Sequence, residues 1–162
     1  MNSKNAIYSK LEDFIKKFYY NEIIKGILLF VAIGLLYFIL TLLIEYFLWL
    51  SVTGRTILFW LFLFVEFFLL SKFILFPIFK LFKLQRGISY TEASQIIGKH
   101  FTVIQDKLVN FLQLESTPSD SELILASIEQ KANEMQPIPF TNAIDFSSNK
   151  KWIPYAILPI AL

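Results

Sequence analysis

Glu66 is the residue in this sequence best placed to do chemistry that its neighbours cannot. It sits ten positions into an apolar run, residues 56–79, about 15 Å along a helix. An acidic group there costs a few kcal/mol (roughly) on membrane-insertion scales. Lys72 follows six positions later, roughly 120° around a helix, so the two do not face each other as an i,i+4 pair would. A preceding apolar run offers partners instead: Gly34, Tyr37, Thr41 and Glu45 recur at steps of three, four and four. That stripe of small and hydroxyl residues suits close helix approach and interhelical hydrogen bonding. Counting back from the turn between the runs puts Thr41 level with Glu66. Three roles are then open for Glu66: a protonated carboxyl bonded to Tyr37 or Thr41, a carrier of protons or ions, or a contact with another subunit's membrane helix. Glu45, nearer the turn, is expected to reach water, and Lys72 to extend along the helix towards an interface.

Other chemistry is thin. The single histidine, His100, stands beside Gly98 and Lys99 and reads as a solvated or capping side chain; one imidazole excludes a multi-histidine zinc site. The chain has no Cys, which excludes disulfides, thiolate metal sites and thiol nucleophiles. Phosphate-loop, dinucleotide, zinc-protease and serine-hydrolase motifs are absent. No catalytic residue, metal site or cofactor is expected. A formal net charge of +2 gives no support to nucleic-acid binding. Gly26 and Gly34 do not make a G-x-x-x-G pair.

The elements that hold these residues read as an all-α membrane protein. Of 162 residues 56% are apolar and eighteen are Phe, concentrated between Ile23 and Phe82. A bilayer core of about 30 Å needs about 20 apolar helical residues. Residues 23–50 and 56–79 meet that length, and the five-residue link Ser51-Val52-Thr53-Gly54-Arg55 makes them an antiparallel transmembrane hairpin within 23–86. The uninterrupted apolar core 27–44 is longer than a signal-peptide core, and no small-residue cleavage site follows. Lys4, Lys10, Lys16 and Lys17 precede the first run, with Lys25 at its edge, and Lys80, Lys83 and Arg86 follow the second, against Arg55 alone in the link. Both flanks are therefore expected in the cytoplasm, the N-terminus included.

Residues 1–22 form an amphipathic helix: Ile7, Leu11, Phe14, Ile15 and Phe18 on one face, Lys10, Lys16 and Lys17 on the other. It is expected to lie on an anionic leaflet, the other reading being a helix packed on the protein's own cytoplasmic part. Residues 87–151 read as a small cytoplasmic helical insert. Ser89-Tyr90-Thr91-Glu92 is a capping box, with Ala93, Ile96 and Ile97 inward and Gly98 a C-terminal cap or else an interior residue of a longer helix. Ile104, Leu108, Phe111 and Leu112 make the next inward face. A second box, Ser119 to Glu122, opens a helix carrying Leu125, Ile128, Ala132 and Met135, which Pro137 and Pro139 end. About 65 residues in three short helices make a marginal core, expected to lean on the membrane or a partner. Lys150, Lys151 and Trp152 then introduce an uncharged segment, 152–162, read as the start of a third, truncated transmembrane helix.

Several stretches also resemble a known family: 45–50 (EYFLWL), 54–60 (GRTILFW), 87–90 (GISY), 93–100 (ASQIIGKH) and 126–131 (ASIEQK). Together they are similar to the start of a large Bacteroidota membrane-protein family of unknown function, over most of these 162 residues. The resemblance implies a multi-pass protein of the bacterial inner membrane with three N-terminal spans and a long periplasmic region, and no catalytic residues. The expected function is a non-enzymatic anchor or scaffold whose partners are the lipid bilayer and other membrane or periplasmic proteins. The alternative is an ion-coupled transport or motor subunit using Glu66.

Overall fold

The computed structural model describes residues 3–116 and 122–161, and among them there are helices and no strand. The helices are α1 (Ser3–Leu48), α2 (Val52–Leu70), α3 (Phe76–Leu81), α4 (Tyr90–His100), α5 (Gln105–Ser116), α6 (Glu122–Met135) and α7 (Ile153–Ala161). A π-helical turn, Ser71–Leu75, joins α2 to α3. The described chain forms two compact units: residues 3–18 with 86–145, and 19–85 with 146–161.

The first unit has its own apolar core. Ile7, Leu11 and Phe14 of α1 are fully buried in it together with Ala93 and Ile97 of α4, Leu108 and Phe111 of α5, and Ala132 and Met135 of α6. The expected leaflet-facing helix is thus corrected. Its apolar face is covered by the chain's own helices α4, α5 and α6. Two of its lysines are likewise turned inward: Lys10 donates to the carbonyls of Gln136 and Ile138, and Lys17 to that of Thr141 at 2.8 Å. Lys16 lies beside Asp13. Nor is this helix separate from the first apolar run, since α1 continues unbroken to Leu48.

Local signals set the remaining helices of this unit. Ser89 caps α4 by accepting from the Glu92 N–H at 3.2 Å, and Glu92 accepts from the Ser89 N–H at 2.6 Å, the reciprocal box. Those bonds to Ser89 hold the Glu92 carboxyl below its usual range. Gly98 is neither a cap nor part of one long helix: it is buried inside α4, which ends at His100. A 3-10 turn, Thr102–Ile104, then leads into α5. Ile104, Leu108 and Phe111 face inward with Leu112 packed beside them. In α6, Ile128, Ala132 and Met135 face inward as the spacing predicts, but Leu125 is 56% exposed and Ile124 packs in its place. The Ser119 capping box lies outside the described residues.

The second unit contains the two helices long and apolar enough to cross a membrane, α1 and the Val52–Leu81 stretch. Residues 19–48 and 52–81 each rise about 45 Å, more than a bilayer core of about 30 Å. Trp49 ends α1 at a left-handed φ of 44°. Ser51 caps α2, accepting from the Gly54 N–H. The link is therefore Trp49-Leu50-Ser51, and Gly54 belongs to the first turn of α2. At the far end, Lys83 (φ 58°) closes α3, with the Lys83 N–H on the Lys80 carbonyl and the Leu84 N–H on that of Phe79, the Schellman pattern. Beyond Asp145, a 3-10 helix, Phe146–Trp152, leads to α7; buried Asn149 donates to Asn21 of α1 at 2.7 Å.

Two measurements test the first unit. Leu11→Ala should cost about 2–5 kcal/mol, read as a loss of hydrogen-exchange protection in α4, α5 and α6; a change of that size would not follow if α1 lay on lipid. Glu115 accepts from Lys4 and from Tyr8, which hold its carboxyl below the ordinary value of 4.5. A depressed carboxyl stabilises the fold above its unfolded value and loses that contribution as pH falls through its folded one. The first unit should therefore melt earlier on acidification below about pH 4.5, and Glu115→Gln should flatten that dependence.

Candidate functional site: the seam between the two apolar helices

The seam is built by four contacts. Going up α1 through Gly26, Gly34, Tyr37 and Glu45, the partners step down through Phe73, Glu66, Phe62 and Arg55. The two helices are antiparallel in one continuous register. Tyr37 stacks on Phe62 with ring centroids 5.8 Å apart and planes 14° off parallel, and Phe38 touches the same ring at 5.7 Å. Glu45 pairs with the Arg55 guanidinium at 3.0 Å.

Gly34 and Gly26 are the closest points. A Cβ on Gly34 would lie 2.9 Å from Glu66 Oε2 and 3.1 Å from Oε1. The carboxyl therefore occupies the space that a side chain on residue 34 would take. A Cβ on Gly26 would collide with the carbonyl oxygen of Phe73. That carbonyl stands four residues before Pro77, which has no N–H to offer it. The π turn Ser71–Leu75 is the local response of the helix, with the Phe76 N–H reaching back to the Ser71 carbonyl.

This register corrects the one counted from the turn. Glu66 lies level with Gly34, two turns from Thr41. Thr41 donates its hydroxyl to the Tyr37 carbonyl of its own helix at 2.9 Å. Glu66 Oε1 is buried with no hydrogen-bond partner among the described residues. Lys72 does not approach Glu66; it is exposed, its ammonium 5.8 Å from the Phe73 ring centre. His100 is exposed, edge-on to Phe101.

Arg55, Phe62, Gly26 and Phe73 are seam residues that sequence reasoning passed over. The signal for Gly26 and Phe73 was Pro77: a proline deep in an apolar helix marks a carbonyl four residues back that needs a close, small neighbour. At the link, Leu42, Glu45, Tyr46, Trp49 and Arg55 line a shallow open groove of about 470 Å³. No group of three or more potential metal-ligating His, Cys, Asp or Glu side chains occurs among the described residues.

The two glycines differ in what a methyl group would meet. At Gly26 it meets backbone, which cannot turn aside; at Gly34 it meets the end of a flexible side chain. Gly26→Ala should destabilise the pair by about 1–3 kcal/mol, measured by thermal unfolding in a mild detergent. Gly34→Ala should cost less, and Glu66→Ala in the same chain should relieve it. Equal costs at the two positions would contradict this geometry.

Compared with models of known protein families, with curated proteins and with solved structures, the chain matches none.

Proposed function

We propose that the chain is a non-enzymatic anchor or scaffold of the bacterial inner membrane, in which 19–48 and 52–81 form a transmembrane hairpin and the first unit is cytoplasmic. The observation that carries this reading is the surface of the two long helices. Of the most apolar 18-residue window in α1 only 11% is buried, and in Val52–Leu81 none. A core helix of a water-soluble protein would be covered; here Leu36, Leu40, Phe47, Phe59, Phe64 and Phe67 are exposed. Contiguous apolar surface of that extent suits hydrocarbon.

Orientation follows from charge. Lysines flank both feet of the hairpin, whereas its link end has only Arg55, in the first turn of α2 and already paired with Glu45. Both feet then lie in the cytoplasm and the link outside. α7, uncharged over Ile153–Ala161, enters the membrane as a third segment. Similarity to the Bacteroidota family adds the expectation of a periplasmic or envelope partner. α1 gives such an anchor its connection: one helix supplies both a membrane span and a wall of the cytoplasmic core.

A reporter active only in the cytoplasm should work when fused after Arg86 and stay silent when inserted within 53–55. The reverse pattern would overturn the orientation, and full extraction by alkaline carbonate without detergent would overturn membrane insertion.

One observation favours a second reading, an ion-coupled subunit: Glu66 Oε1 is buried without a hydrogen-bond partner among the described residues. Glu66→Gln keeps the shape of the side chain. The anchor reading predicts unchanged thermal stability and unchanged growth or transport in a complementation assay. Lost activity with unchanged stability would support the ion-coupled reading in its place.

A further inference from the structure

Lys72 places a positive charge inside an apolar helix, and among the described residues no acid lies against it. It stands in the π turn Ser71–Leu75, exposed, its ammonium 5.8 Å from the centre of the Phe73 ring. Such turns within α-helices are frequent at functional sites. Trp60, Phe64, Phe68, Lys72 and Phe76 recur at steps of four, which makes them one ridge of the helix. All five are exposed. The seam with α1 uses other residues of this helix, Phe62, Glu66 and Phe73. The ridge is therefore a second, uncovered face.

In the membrane reading Lys72 lies within the hydrocarbon. It precedes Lys80, the first cation at the cytoplasmic foot, by eight residues, about 12 Å of helix. Cα–Cβ bonds of a helix tilt towards its N-terminus, which for this helix is the link end. Turning the ammonium to the cytoplasmic headgroups would run against that tilt, over a distance longer than the lysine stem. The chain's own acids do not answer the charge. The second unit has three, Glu22, Glu45 and Glu66. Glu22 lies 3.7 Å from Lys25, Glu45 pairs with Arg55, and the Glu66 carboxyl fills the space beside Gly34. A second copy of the chain would bring the same three engaged carboxyls.

We infer that this ridge is a docking face for a membrane-spanning helix of another protein, one that carries an Asp or Glu in its apolar run at the level of Lys72. The inference rests on the membrane reading and deepens the scaffold reading by naming the partner's chemistry. Charge complementarity identifies the occupant. Ionisable groups inside a membrane are costly and pair with one another. An apolar helix without an acid would leave Lys72 in hydrocarbon, as lipid does. The aromatic rings on either side of Lys72 supply the close packing that holds helices together in lipid.

The test uses the full chain, labelled at its N-terminus, in phosphatidylcholine vesicles. The probes are two synthetic membrane-spanning peptides of Leu and Ala, one with a single Glu at the depth of Lys72 and one with Leu in its place. Association is read by resonance energy transfer. The Glu peptide should bind about tenfold more tightly than the Leu peptide. Lys72→Leu should remove that difference and leave the thermal midpoint unchanged, whereas Lys80→Leu should keep it. Lys72→Glu should reverse the preference towards a peptide carrying Lys. Equal binding of the two peptides by the native chain, or a Glu preference that survives Lys72→Leu, would overturn the proposal. So would phosphatidylglycerol that competes the preference away, since the ammonium would then belong to lipid phosphate. If Lys72→Leu fails to fold, the two peptides on the native chain decide. Carbonate extraction tests the membrane reading separately: a chain that resists extraction yet shows no Glu preference loses this inference alone.

Discussion

Two glycines bring α1 against the oxygen atoms of its partner helix, and the seam depends on that approach. In hydrocarbon, helices gain nothing from hiding apolar surface from one another, since lipid tails are as apolar as leucine. What holds a pair together is contact distance and the satisfaction of polar groups. Gly26 admits the Phe73 carbonyl that Pro77 leaves without its usual donor, and Gly34 admits the carboxyl of Glu66. Once those contacts are made, the Tyr37–Phe62 stack and the Glu45–Arg55 pair follow in step. The exposed ion pair at the link adds little energy of its own; its use is to agree with the register.

The parts of the structure that could be read from sequence are those set by local chemistry. The Ser89–Glu92 box works over four residues, so it holds in the fold as written. The inward faces of α5 and most of α6 follow from helical spacing. Two apolar stretches of bilayer length are visible by counting. What escaped was decided at a distance or by competition between local signals. Gly54 reads as the centre of a turn, but Ser51 is an N-cap and draws Gly54 into α2. The link therefore ends at Ser51, the register moves by about two turns, and Thr41 leaves the level of Glu66. The face of Ile7, Leu11 and Phe14 has the same pattern whether it meets lipid or protein. Only the presence of α4, α5 and α6, which begin at Tyr90, far along the chain, decides that it is protein. Leu125 and Ile124 are adjacent and equally apolar, and the packing of α6 selects Ile124.

The same helix, α1, carries residues of two different environments. Its first part supplies fully buried side chains to the core of the first unit; its later part exposes Leu36, Phe38 and Leu40. The first unit would have to build a core from three short helices without it. The integrity of the first unit is thus tied to a helix that is also long and apolar enough to cross a membrane. The seam's one unexplained polar atom is Glu66 Oε1, whose neighbour Gly34 gives it room but no hydrogen bond.

Because the chain has no cysteine of its own, the register can be measured directly with introduced pairs. Tyr37→Cys with Phe62→Cys, and separately Thr41→Cys with Glu66→Cys, are treated in membranes with a short thiol cross-linker and read by mass spectrometry. Cross-linking of the 37/62 pair and none of the 41/66 pair is the result expected from the glycine-set register. Efficient cross-linking of the 41/66 pair with none at 37/62 would contradict it.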